Sequence, residues 1–387
     1  MEDREEAVTT SITLWSAGQR NNQTEFNAAT TGVGPDSWSV RVQRLHGGLS
    51  DGVDVVFINN GRLTLAVLPT RGMGIWYGQI DDLRLGWNSP VRNPVHPTFV
   101  DEMRRGGIGW LDGFNELICR CGLGWNGAPG DDGDQFLPLH GRVANLPAHE
   151  VSLEVSDDGL SLTGVVDEAS VFGGFLQLTS VLSTSFDSTS FSIADTVANR
   201  SSSPADAEML YHCNVGRPFL GDGAQFMTAA REMAPRDERA AEDTDGWQSY
   251  RGPEHGYAEQ VYFYRPISDA DGQGLAVLQS PEADKAVAVR FDTSALPWLT
   301  QWKNTQAEED GYCTGLEPAT GFPNVRSYER EQGRVVQLDA GEDVTFRLSM
   351  EVACDGVAVK ALADEVDALQ GDSSMEVHAT PRAGWSG

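Results

Sequence analysis

Short runs in which apolar and polar residues alternate recur along most of the chain. They include Val53–Ile58, Leu63–Leu68, Val151–Val155, Leu160–Val166, Phe175–Leu182 and Ser190–Val197, all rich in β-branched residues. A period of two puts one set of side chains on each face of an extended strand, so these runs predict half-buried antiparallel strands. Asp-Asp-Gly, Gly-Gly and Asp-Gly sequences punctuate them at hairpin spacing. The alternation resumes at Gly274–Leu278, Ala286–Arg290 and Val344–Met350. Helical periodicity is confined to residues 357–369 and a shorter stretch around 225–240. Many regularly spaced strands with few short helices predict a mainly β fold, a sandwich of antiparallel sheets. With no linker and no repeat of fixed period, residues 11–370 read as a single domain. The polar or small-residue-rich ends, 1–10 and 371–387, read as flexible.

Residues 104–145 break the pattern. This Gly- and Trp-rich stretch is too long and irregular for one hairpin loop, and structured loops of that length are often functional. Its indole and amide groups suit a sugar, whose C–H face stacks on aromatic rings while its hydroxyls need fixed hydrogen-bond partners. The same stretch also serves as a packed cover for one end of a sandwich, and the two roles are compatible.

Charge narrows the partners. The 387 residues carry 57 acidic against 28 basic side chains, a net charge of −29. Such a surface repels nucleic acid and anionic membranes. Lysine occurs only at Lys285, Lys303 and Lys360. Abundant Asp and Glu with scarce Lys predicts a protein of a salt-adapted cytoplasm, where repulsion is screened, the alternative being an ordinary acidic cytosolic enzyme. The first thirty residues hold no apolar run behind a basic start, and no stretch approaches the about 20 apolar residues of a membrane helix. Five cysteines, Cys119, Cys121, Cys213, Cys313 and Cys354, are an odd number without metal-knuckle spacing. They read as small buried packing residues.

Three segments carry candidate chemistry: Leu139-His-Gly-Arg142, Leu210-Tyr-His-Cys-Asn-Val-Gly216 and Gly315-Leu-Glu-Pro-Ala-Thr320. Histidine and carboxylate titrate within reach of neutral pH and suit proton exchange with a hemiacetal. Glu317, between Leu316 and Pro318, is costly to bury without a role or a partner. His46, His96, His149 and His378 read as surface or structural residues.

At these segments the chain resembles the aldose 1-epimerase (galactose mutarotase) superfamily, in an epimerase-like branch. An early arginine in a strand-turn, a His-Gly, a mid-chain histidine followed closely by asparagine, and a late glutamate before proline occur in the family's order over residues 40–350. The resemblance implies a galactose mutarotase-like β-supersandwich that interconverts sugar anomers. It makes Glu317 the general base on the anomeric hydroxyl and His212 the general acid toward the ring oxygen. His140 becomes a substrate-positioning donor, Arg71 a hydroxyl-binding arginine, and Asn214 an orienter of His212 or a sugar ligand. The chain departs from the family where Cys213-Asn214-Val215 replaces an aromatic-rich run. The family's sugar-binding aspartate has no clear match: Asp222, Asp243 and Asp245 fall in its interval, with His255 or Glu254 as substitutes.

Other assignments stay open on sequence. Arg142, like Arg71, is either a substrate ligand or a salt-bridged scaffold residue, and Asn115 and Glu116 either contact substrate or fix the long loop. Arg71, Arg217, Arg326 and Lys303 lie beside the site motifs, which suggests an acidic or otherwise modified sugar gripped by guanidinium groups. The alternative is that they pair with the abundant Asp and Glu. The chemistry requires no cofactor, and no spacing of His140 and His212 recommends a metal. The expected partner is a small-molecule carbohydrate, bound by a monomer or homodimer. Two rival functions share the scaffold: another carbohydrate isomerase, lyase or hydrolase, and a non-catalytic sugar-binding protein.

Overall fold

The computed structural model describes residues 9–387. Most of the N-terminal segment expected to be flexible lies outside that range, and Thr10 already opens the first strand, Thr10–Ser16. Among the described residues, two large sheets of ten and thirteen strands dominate. The first runs from Gln225–Thr228 through Ala286–Asp292, Asp343–Ala353, Ser190–Asn199, Gly174–Ser185 and Gly159–Ser170 to Thr10–Ser16 and the short Gln19–Arg20 edge. The second has Trp298–Asn304, Cys313–Ala319, Leu210–Val215 and Ile118–Cys121 side by side near its middle. The alternating runs of the sequence are these strands. Leu153, Leu162, Leu178 and Ile193 of the first sheet and Leu65, Ile75, Tyr211, Cys213 and Leu316 of the second all enter one buried core. This is the sandwich of mainly antiparallel sheets that the alternation predicted.

A polar clamp ties the sheets together inside that core. The Arg120 guanidinium meets both carboxylate oxygens of Asp195, at 2.5 and 3.1 Å, and donates to Ser180 Oγ, while the Tyr211 hydroxyl donates to Asp195 Oδ2 at 2.8 Å. Arg120 and Asp195 are 1% and 0% exposed. Their charges stand in a dry interior only because each satisfies the other.

The helix expected at 357–369 is Gly356–Gln370, capped by Asp355, which accepts from the N–H groups of Val357 and Ala358. Val359, Leu362 and Val366 pack it on Leu275, Val277, Ala286 and Ala288, on the outer face of the ten-stranded sheet. The stretch around 225–240 is not helical over most of its length. Gln225–Thr228 and Ala230–Pro235 are strands, and only Glu238–Ala241 is a short helix, N-capped by Asp237. Strand pairing there outweighs a weak local helical signal.

The C-terminal segment expected to be a flexible tail is packed. Glu376–Val377 pairs in parallel with Ala230–Pro235, Trp385 is buried, and the Tyr328 hydroxyl donates to the Ser386 carbonyl. Trp385 fills an aromatic cluster with Trp298 and Phe322. Four cysteines are buried as expected, but Cys354, one residue past a strand end, is exposed. No helix among the described residues is long and apolar enough to cross a membrane.

Candidate active site

Register places the candidate chemistry side by side. Leu210–Val215 runs antiparallel to Cys313–Ala319 with Cys213 opposite Leu316 and Asn214 opposite Gly315, so His212 stands opposite Glu317. The next strand, Trp298–Asn304, sets Thr300 opposite Glu317 on its other side. Period two sends His212, Asn214, Glu317, Thr300 and Trp302 to the outer face, while Tyr211, Cys213, Leu316 and Leu299 point into the core. The site therefore lies outside the sandwich, on the back of the thirteen-stranded sheet. The 104–145 stretch covers it: Trp110 and Phe114 close over the strands, and Leu139 and His140 complete the wall.

A cavity of about 290 Å³ remains between cover and sheet. His140, His212, Glu317, Trp110, Phe114 and Trp302 line it, with the half-exposed Arg236 and Glu259 beside them. Four rings surround His212: Phe114 at 4.9 Å, Trp302 at 5.2 Å, His140 at 5.7 Å and Trp110 at 6.3 Å between centroids.

Hydrogen bonding fixes the tautomer of His212. The Asn214 amide donates from Nδ2 to two carbonyls, those of Glu116 and His212, at 2.9 Å each. Its Oδ1 is therefore the end that faces His212 Nδ1, at 2.5 Å. A carbonyl oxygen accepts, so Nδ1 carries the hydrogen, and Nε2 is the nitrogen that exchanges protons. Nε2 lies 3.1 Å from Glu317 Oε1. Although the atoms are in contact, Oε1 has no partner with hydrogen-bond geometry among the described residues, and it remains available to a ligand hydroxyl.

Burial sets the proton balance. Glu317 is 2% and His212 5% exposed. Desolvation, with the nearby Glu259 carboxylate adding to it, pushes the Glu317 pKa well above the usual carboxylate range. Desolvation and His140 together hold His212 down to about 3. Both causes favour uncharged forms, so a proton shared by the pair rests on the carboxyl group in preference to the imidazole.

His140 behaves differently from its expected role. Its Nδ1 donates to the Asn126 carbonyl at 2.7 Å, and burial lowers its pKa to about 4. The neutral ring thus offers Nε2 as an acceptor, where a donor was expected. Its backbone takes a positive φ of 62°, held by the His140 N–H to Gly127 carbonyl bond, so the ring's placement is dictated by the loop.

The remaining predicted ligands lie elsewhere. Arg71, 1% exposed, binds Glu116 Oε1 at 2.6 Å, the Val95 carbonyl and Asn145, tying four segments together as scaffold. Arg142 stands 4.0 Å from Glu102 and lines a separate groove. Asn115 donates to the Val91 carbonyl, on the wall of another cavity. Lys303 follows Trp302, so parity sends it through the sheet, where Nζ donates to the carbonyls of Gly246, Trp247 and Ser249. His255 is exposed, 4.0 Å from Asp310. Arg217 pairs with Glu308, and Arg326 with Asp132. None of the four basic groups expected to grip an acidic sugar lines this cavity.

The sequence reading missed Arg236 and Glu259. Glu259, just ahead of strand Gln260–Pro266, accepts from Trp302 Nε1 at 2.6 Å and pairs with Arg236 at 3.0 Å. Arg236 also pairs with Asp237 at 2.8 Å. Asp222, Asp243 and Asp245 do not line this cavity, and Glu259 does. No local motif marks it; only its place at the start of a strand two removed from Glu317 brings it in.

Residues 50–352 match the model of a family described as a domain of unknown function, DUF4432. The chain belongs to the DUF4432 family. Its fold is shared by a Klebsiella pneumoniae protein, provisionally named an aldose 1-epimerase, with a TM-score of 0.94 and 34% identity over 97% of this chain and 100% of that one. A galactose mutarotase-like protein from Clostridium acetobutylicum superposes with a TM-score of 0.55 at 14% identity, covering 81% of this chain and 98% of that one. Galactose 1-epimerase from Lactobacillus acidophilus gives 0.52 at 11% identity, covering 81% and 98%. These two show the fold alone. No curated protein matches the sequence. The DUF4432 chain is thus a mutarotase-like protein in architecture, as its ordered motifs implied.

Proposed function

We propose that this DUF4432 protein interconverts the anomers of a neutral aldose by moving one proton between Glu317 and His212. The observation that carries this reading is their 3.1 Å contact at the floor of an indole-lined cavity. In the forward step Glu317 removes the proton from the anomeric hydroxyl, the bond between C1 and the ring oxygen breaks, and His212 Nε2 protonates that oxygen. The product is the open-chain aldehyde. Rotation about the C1–C2 bond and the reverse proton transfers close the other anomer. At rest the pair's one proton sits on Glu317; its transfer across the contact to His212 Nε2 gives the reactive form, and ring opening returns a proton to Glu317. His140 Nε2 accepts from a sugar hydroxyl, Glu259 accepts from another, and the faces of Trp110 and Trp302 take the C–H surface.

Charge supports a neutral substrate. Both histidines are held uncharged, and Asp237 and Glu259 together neutralise Arg236. A carboxylate, phosphate or sulfonate would meet the Glu259 carboxylate with no free cation to receive it. Anomer exchange measured by NMR over neutral and acidic hexoses tests this. Glu317→Gln and His212→Asn should each slow exchange roughly 10²–10⁴-fold. Sugar binding without any exchange, unchanged in Glu317→Gln, would instead identify a binding protein.

A further inference from the structure

A second cavity, of about 560 Å³, opens on the far side of the aromatic wall. The wall is thin: the Phe114 ring packs on His212 at 4.9 Å and on Trp87 at 5.0 Å, and Trp87 lines this second cavity. Trp76 lies beside it, half-buried, giving an indole surface for stacking. Arg84 and Arg92 line the same cavity, and neither has a carboxylate partner among the described residues; Arg84 rests on the Tyr77 ring at 4.3 Å. In a chain with 57 acidic and 28 basic residues most arginines are committed to ion pairs, and these two are among the minority that are not. Glu308 and Glu309 also line the cavity, and Glu308 is already paired with Arg217.

Asn115 supplies the second observation. It is 3% exposed, its Nδ2 is fixed by the Val91 carbonyl, and its Oδ1 has no hydrogen-bond partner among the described residues. A buried acceptor left unmet calls for a hydroxyl or water donor. Unpaired guanidinium groups call for an oxyanion. An indole face calls for an apolar surface of ligand.

We infer that this cavity is a second saccharide site, for a sugar unit bearing a carboxylate or sulfate. A single ligand class supplies all three groups at once: an acidic sugar has hydroxyl donors, an oxyanion and a C–H face. The volume falls within the about 300–1,000 Å³ usual for small-molecule sites. The assignment is independent of the chemistry proposed for Glu317 and His212.

Calorimetric titration of the full chain carrying Glu317→Gln tests it, with galacturonate, galactose 6-sulfate, galactose and inorganic sulfate as probes. The two acidic sugars should bind at least tenfold more tightly than galactose. Arg84→Ala with Arg92→Ala should abolish that preference, and Trp76→Ala should weaken binding of both acidic sugars. Both arginines are exposed, so the double variant keeps the wild-type thermal midpoint. Equal binding of acidic and neutral sugars overturns the inference, as does an acidic-sugar affinity untouched by the double substitution. Inorganic sulfate binding as tightly as the sulfated sugar marks a bare-anion site and overturns it too.

Discussion

At the scale of single residues, the site is defined by where one proton can sit. Asn214 commits His212 Nδ1 to a hydrogen bond, so only Nε2 communicates with Glu317. The reactive state needs one proton on the pair, and both losing it and adding a second stop the reaction. The second proton arrives only near the depressed His212 value of about 3. The shared proton leaves only above the raised value of Glu317. The pH profile of kcat/KM for anomer exchange should therefore show no histidine-type acid limb near 6.5 and fall as pH rises through the raised Glu317 value. A profile with an acid limb near 6.5, where an ordinary histidine titrates, would remove the shared-proton account. His212 and Glu317 were legible in the sequence because each sits in a short motif whose order is informative. Glu259 and Arg236 were not, because their place at the site depends on pairing between strands distant in sequence.

At the scale of strands and loops, parity explains most of what the sequence could and could not show. Alternation predicted the strands, and it also settles Lys303: one residue beyond Trp302, it must face the opposite way. That conclusion required knowing which face of the sheet holds the site. The buried clamp left a readable trace, since Asp195 falls in the inward series Phe191, Ile193, Val197, where a carboxylate is out of place without a partner. Gly315 has a similar positional meaning. It sits two residues before Glu317 on the outer face, and a Cβ built there overlaps the Glu317 carboxylate. Gly315→Ala should displace that carboxylate from His212 and reduce exchange roughly tenfold to a hundredfold, with the fold retained, because only the end of a side chain has to move. Wild-type exchange rates in Gly315→Ala would show that the position of the carboxylate is not critical.

At the scale of the whole molecule, two forms of electrostatics work against each other. Inside, Arg120 and Asp195 join the sheets directly beneath the site, since Arg120 lies between Cys119 and Cys121, and Cys119 pairs with His212. Asp195→Ala leaves the guanidinium buried and unpaired and should cost about 3–5 kcal/mol in denaturant unfolding. A much smaller loss would mean that water reaches Arg120. Outside, a net charge of −29 makes the compact state repel itself. Simple salt should relieve this: the screening length falls from about 10 Å at 0.1 M to about 3 Å at 1 M. The surface pairs that salt weakens, such as Lys360–Asp364 and Arg239–Glu242, are each exposed and contribute little. Relief of repulsion among the surplus carboxylates therefore outweighs the pairs lost, and the thermal midpoint should rise by several degrees between 0.05 and 1 M potassium chloride. Chloride is the right anion for the measurement, because sulfate would stabilise the fold through exclusion from apolar surface regardless of charge. A midpoint that stays level or falls would mean that the acidic groups are already balanced locally, and that their excess reflects solubility rather than adaptation to salt.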